Sequence, residues 1–342
     1  MVDECRGAAV VVAAVGRSEL GLVACAWLHG ARSVVAAGGG ASFCRLGVLA
    51  WGAAFAVQYR LLYLGQLGAL HAGLPVWHQL TLTLAAVLSA WSLAWVASSW
   101  WPSGGEAAWL AWGAVPSLLV AGLLLKGERL YWPVQVYPQV YRGDGLLPFV
   151  GFIALWNLAA CSLPVQPVGL PYLPLLNPLE LVQALSLLLL AYWLRGLSRW
   201  PSRAIRLPEA WLQLGFGALV LVVFSTVLAR AVHHWQDVEY ALGALFGSMV
   251  FQTSVSILWT LMALGLMTYA QRRAERVLWF CGAALLGLVV VKLFLIDLAG
   301  SGTLARIVSF VAVGGLMLLI GYLAPLPPRD GGHSQQPVAE GS

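Results

Sequence analysis

LQLGFGALVLVVFSTVLARAVHHWQDVEY, residues 212–240, decides what kind of protein this is. From Leu214 to Ala229 the stretch carries no charged side chain. A helix needs about 20 mostly apolar residues to cross a bilayer, so the run reads as a spanning helix over 209–230. Ionisable groups crowd in where the apolar run ends: Arg230, His233, His234 and Asp237.

The composition of the whole chain agrees. Of 342 residues, 60% are hydrophobic and 10% charged, against about 25% charged in a soluble globular chain. Too little charge is present to cover a water-facing surface, so lipid is the expected solvent and membrane lipids the expected contacts. The net charge of +5 comes from Lys and Arg in short loops between apolar runs, which fits membrane topology and not nucleic-acid recognition. Cys5, Cys25, Cys44, Cys161 and Cys281 form no CxxC pair, so neither a disulfide framework nor a zinc knuckle is indicated. No metal or cofactor is expected. Phosphate loops, dinucleotide fingerprints, HExxH and GxSxG are absent from the sequence, which removes the support for common nucleotide and hydrolase chemistries.

The same ruler along the chain gives spans near 8–28, 46–66, 77–99, 107–125, 146–165, 178–195, 209–230, 241–270, 277–298 and 305–324. The expected fold is therefore all-α, an integral membrane helical bundle of about ten spans. Residues 1–45 form an N-terminal segment whose apolar run is interrupted by Arg17 and Glu19, 46–324 the transmembrane domain, and 325–342 a tail rich in Pro, Gly and Gln that reads as disordered. In LLNPLEL, Asn177 can cap a helix whose first residue is Pro178, with Glu180 in its first turn. Arg195, Arg199, Arg203 and Arg206 in one loop, and Arg272, Arg273 and Arg276 in another, assign those loops to the cytoplasm. Both termini then fall inside.

Four sets of residues stand out as candidates. If the seventh helix continues past the membrane, Arg230, His233, His234 and Asp237 share one face. That face serves either as a solvated interface or as an anion or proton site. Lys292, in VVVKLFLIDLAGSGTLARI (289–307), should face the bundle with a partner, as a salt bridge or a functional group. Asp297 and Arg306 can meet across a short turn and close a helical hairpin. In the eighth segment Ser248, Gln252, Ser256 and Thr260 recur every four residues, with Gly243 and Gly247 as a GxxxG pair. This stripe serves either close helix packing or the polar wall of a cavity.

The stretches LPYLPLLNPLEL, VLARAVHHW and SVSILWTLMALGLM, with the terminal block from RVLWFCGAALLGLVVVKLFLIDL to LAPLPPR, resemble the DUF2339 family of predicted bacterial membrane proteins. The resemblance covers roughly 130–329, as in a C-terminal portion or a shortened member. It implies a polytopic inner-membrane protein and makes Arg230, His233, Lys292, Asp297 and Arg306 family-pattern positions, but it carries over no catalytic residues. Three function classes follow: a carrier or flippase for an anionic envelope lipid or glycan precursor, a scaffold or assembly subunit with envelope partners or self-association, and a membrane-embedded envelope enzyme.

Overall fold

The computed structural model describes residues 40–66, 73–100, 104–165, 172–196 and 208–293, with the single positions Val311, Gly314, Gly315 and Leu318. Every regular element among the described residues is helical. The long helices are α1 (Gly40–Gly65), α2 (Leu74–Trp100) and α3 (Gly104–Lys126). A short α4 (Pro138–Tyr141) leads into α5 (Leu147–Ala160), followed by α6 (Pro178–Gly196) and α7 (Glu209–Gln236). A second short helix, α8 (Leu242–Gly247), precedes α9 (Met249–Arg273) and α10 (Arg276–Lys292).

Among the described residues, six stretches are long and apolar enough to cross a membrane: Leu74–Ser98, Glu106–Arg129, Pro138–Ala160, Pro178–Gly196, Ala210–Gln236 and Met249–Arg273. The expected count of about ten is not reached within the described residues. The segment 8–28 lies outside them, as do the tail 325–342 and all but four positions of 305–324. Helix α10 is described as far as Lys292, and residues 294–298 of the span expected over 277–298 lie outside the described residues. The segment expected as one helix over 241–270 is two. Ser248 adopts an extended backbone and its hydroxyl accepts from the Phe251 amide, capping α9. A capping residue in a run with no charge breaks the helix without breaking the hydropathy.

The chain divides into two compact units, Met1–Ser92 and Leu93–Ser342. In the first, α1 and the opening turns of α2 are joined by Gln58, which donates to the Thr81 hydroxyl at 3.4 Å, and by Tyr59 against the buried His78 ring. In the second, successive long helices run in opposite directions. Trp156 of α5 donates to the Trp109 carbonyl of α3 at 3.0 Å, so the end of α5 lies beside the start of α3. The indole lies over Gly113, and a Cβ there would collide with its ring. Trp259 of α9 donates to Ser225 of α7 at 2.9 Å. Helices α9 and α10 make the most extensive pair, packed so closely at Gly282 that a Cβ would sit 2.6 Å from Met267 Cγ and 3.1 Å from the Ala263 carbonyl. The turn between them is made by Ala274 in the left-handed conformation (φ 56°).

Candidate functional site

Helix α7 ends at Gln236, with Asp237 left-handed (φ 52°) as its cap and exposed to solvent. Asp237 therefore leaves the face it was expected to share. Arg230, His233 and His234 remain on the helix; Arg230 finds its partners on α5, α6 and the segment joining them, and the histidines find theirs in the segments joining α5 to α6 and α7 to α8.

Arg230 is completely buried, with its guanidinium enclosed by α5, α6 and α7. Its Nε donates to the Leu163 carbonyl at 3.0 Å and Nη2 to the Ala160 carbonyl at 2.7 Å. Its Nη1 donates to Gln183 Oε1 at 3.1 Å and Glu180 Oε1 at 3.3 Å. These bonds engage four of the five N–H donors a guanidinium has. Glu180 is equally enclosed, with both side chains of the ion pair at 0% exposure. Its Oε1 also accepts from the Tyr172 hydroxyl at 2.5 Å, and its Oε2 from the Leu175 amide at 2.6 Å.

The sequence places Glu180 in the first turn of α6, where an acid suits the helix terminus on local grounds alone. Asn177 does cap α6, its Oδ1 accepting from the Leu179 amide at 2.9 Å. The Glu180 carboxylate is instead the counter-charge of Arg230, 50 residues away. A local reading has no signal for that pairing. The available clue was that α6 runs Glu180, Gln183, Ser186, three polar groups at successive turns of an apolar helix.

The polar column continues from the ion pair. Gln183 donates to the Asn157 carbonyl at 3.4 Å, Asn157 Nδ2 donates to Ser186 Oγ at 2.7 Å, and Ser186 donates to the Gln183 carbonyl at 2.7 Å. Beyond it, Leu187, Leu190 and Trp193 occupy the buried face of α6.

The connection after α5 is fastened by side chains from the end of α7. His234 Nε2 lies 2.8 Å from the Val165 carbonyl and 3.2 Å from that of Pro164, so Nε2 carries the proton. His233 Nδ1 lies 2.6 Å from the Val238 carbonyl and is likewise the protonated nitrogen. The His234 ring stacks on Tyr172 at 4.5 Å. Trp235 donates to the Tyr172 carbonyl at 3.2 Å, and Tyr240 to the Cys161 carbonyl at 2.6 Å. Two residues of this connection, Val165 (φ 62°) and Leu175 (φ 67°), hold left-handed backbones that cost a β-branched or bulky residue free energy. Burial and the bond to Glu180 push the Tyr172 phenol well above its ordinary pKa. Burial also raises Tyr240, partly opposed by the nearby Arg230 charge.

Lys292 belongs to a different constellation. It is 9% exposed, and its Nζ donates to Ser256 Oγ at 2.9 Å and the Gln252 carbonyl at 3.1 Å. The structure thus joins Lys292 to two members of the expected stripe. Ser256 and Thr260 each donate back to the carbonyl four residues earlier, at 3.0 and 2.7 Å. Ser248 is the cap of α9, while Gly243 and Gly247 lie on α8, and among the described residues the GxxxG pair makes no close helix contact. Asp297 and Arg306 lie outside the described residues. Among the described residues no His, Cys, Asp and Glu side chains cluster as a metal site.

No curated protein and no solved structure matches the chain. The family model of DUF2339, described as a predicted membrane protein, matches residues 6–327, well beyond the 130–329 on which the resemblance rests. Apolar helices long enough to cross a membrane, with Arg230 and Glu180 paired inside the chain, belong to a multi-pass membrane protein, and this chain is a member of the DUF2339 family.

Proposed function

We propose that the chain is a membrane scaffold or assembly subunit, acting through a rigid helical surface and not through a transport or catalytic step. One observation carries this reading. Arg230 and Glu180 are the charges best suited to meet a substrate, yet both are fully enclosed and bonded within the chain. The apolar residues Leu187, Leu190 and Trp193 follow the polar column on α6, so among the described residues it does not continue along that helix.

The reading extends to topology. Helix directions in the second unit put Lys126, Arg195, Arg272, Arg273 and Arg276 at one end and the Arg230 network at the other. Basic residues mark cytoplasmic loops. We therefore retain a bacterial inner-membrane protein with both termini cytoplasmic, about ten spans within a membrane domain over 46–324, and a tail over 325–342. Its partners are membrane lipids and envelope-assembly proteins or further copies of itself.

A carrier for an anionic envelope lipid is the second reading, favoured by the polar line of Gln252 and Ser256 against Lys292. A Gln252→Cys variant in sealed vesicles separates the two. A scaffold leaves that thiol inert to membrane-impermeant reagents from both sides. Ready reaction from the Arg230 end would mean a water-filled path and would sink the scaffold reading.

A further inference from the structure

We propose that an apolar collar at the Arg230 end of the second unit, formed by Leu173, Leu175, Leu176, Leu242, Phe246 and Met249, is seated in the headgroup–acyl boundary of a zwitterionic bilayer. The short helix α8, LGALFG, contains no polar side chain. Leu245 turns inward and packs with Ala229, Val232, Phe251 and Val255. Leu242 (76% exposed), Phe246 (52%) and Met249 (83%) turn outward. A short connection with one face on the protein and the other in water should be polar on its outer face; this one is apolar on both.

Connectivity says what covers it. Helix α7 ends at Gln236 and α9 begins at Met249, both of them candidate spans, so α8 lies within a short tether of two membrane exits. The second part of the collar precedes α6, also a candidate span. Its backbone is fixed by Leu175 N on Glu180 Oε2 and by Trp235 on the Tyr172 carbonyl. Leu173, Leu175 and Leu176 nevertheless stay exposed, at 49%, 48% and 65%. Backbone ties hold these leucines outward, and an anchor ordered in advance inserts without a further ordering cost.

Charge selects the lipid. Within 235–250 the ionisable side chains exposed to solvent are Asp237 and Glu239, and the described parts of 161–177 expose no Lys or Arg. Arg230 is sealed inside. Anionic headgroups would meet carboxylates here, whereas a zwitterionic surface accepts the apolar side chains without that repulsion. This is the opposite of the Lys- and Arg-rich interfacial helices that seek acidic lipid.

The test uses the full chain in phosphatidylcholine vesicles with a membrane-impermeant maleimide, scoring label above that of the wild type. Glu239→Cys, exposed and acidic, is the reference for outward-facing molecules. Phe246→Cys and Leu176→Cys are two independent collar positions, so misfolding of one leaves the other informative. Reference labelling with near-complete loss of labelling at the collar positions, unchanged as lipid is added, is the expected result. Collar labelling equal to the reference would overturn the proposal. Protection that vanishes as the protein is diluted in lipid would give the face to a second copy. Protection seen only with phosphatidylglycerol present would overturn the lipid class.

Discussion

Two buried cations, Arg230 and Lys292, show different ways of keeping charge inside an apolar bundle. Arg230 has a carboxylate, a side-chain amide and two backbone carbonyls, drawn from three segments of the chain. Lys292 donates to two neutral oxygens of α9, Ser256 Oγ at 2.9 Å and the Gln252 carbonyl at 3.1 Å. A guanidinium in a fixed fork can bind several elements together, whereas an ammonium on a flexible stem settles on whichever oxygens are within reach. The first arrangement fails as a unit if one member is removed. The second loses a contact.

Breaking the ion pair should therefore have the largest effect. Arg230→Met leaves the Glu180 carboxylate buried beside Tyr172, and Glu180→Met leaves the guanidinium with neutral partners. Each should cost about 3–5 kcal/mol, read as a large fall in the thermal midpoint in detergent. Tyr172→Phe removes one bond to the same carboxylate and should cost about 1.5–3 kcal/mol. That variant also has a pH signature. The buried phenol keeps its proton at pH values where an unfolded tyrosine, with its pKa of 10.0, loses it. The stability it contributes is complete below pH 10.0 and falls as the pH rises above it. Tyr172→Phe should therefore show a shallower alkaline decline than the wild type, and an equal slope would detach Tyr172 from the network.

Gly282→Ala sharpens the other side of the comparison. The new methyl meets Met267 and the Ala263 carbonyl, so α9 and α10 must separate slightly, at about 1–3 kcal/mol. Lys292→Met should have the smallest effect, about 1 kcal/mol or less, in line with interhelical hydrogen bonds in membranes. Ser256 retains its own bond to the Gln252 carbonyl after the change. A midpoint loss as large as that of Arg230→Met would erase the distinction between the two cations.

Much of the helical layout is legible in the sequence because the bilayer imposes a length. The span expected over 178–195 forms as Pro178–Gly196, with Asn177 capping as its Asn-Pro signal implies. What escapes is whatever hydropathy does not register. Ser248 ends one helix and starts another without interrupting the apolar run. Glu180 sits where a first-turn acid belongs on local grounds, and the Arg230 it pairs with is brought near by the crossing of α6 and α7. The end of α7 shows the same limit. Helical spacing groups Arg230, His233, His234 and Asp237, but the left-handed cap sends Asp237 into solvent while Arg230 points into the bundle. Spacing along one helix shows which residues share a face, while the face opposite is set by contacts far away in sequence.

The central claim, that Arg230 and Glu180 form a structural lock and not a ligand site, is tested most directly by a double-mutant cycle. Thermal midpoints would be measured in one detergent for the wild type, Arg230→Met, Glu180→Met and the double variant. The lock predicts two strongly destabilised single variants and a double variant more stable than either, because removing both charges leaves none buried unpaired. Single variants as stable as the wild type, or a double variant that loses the sum of the two, would contradict it.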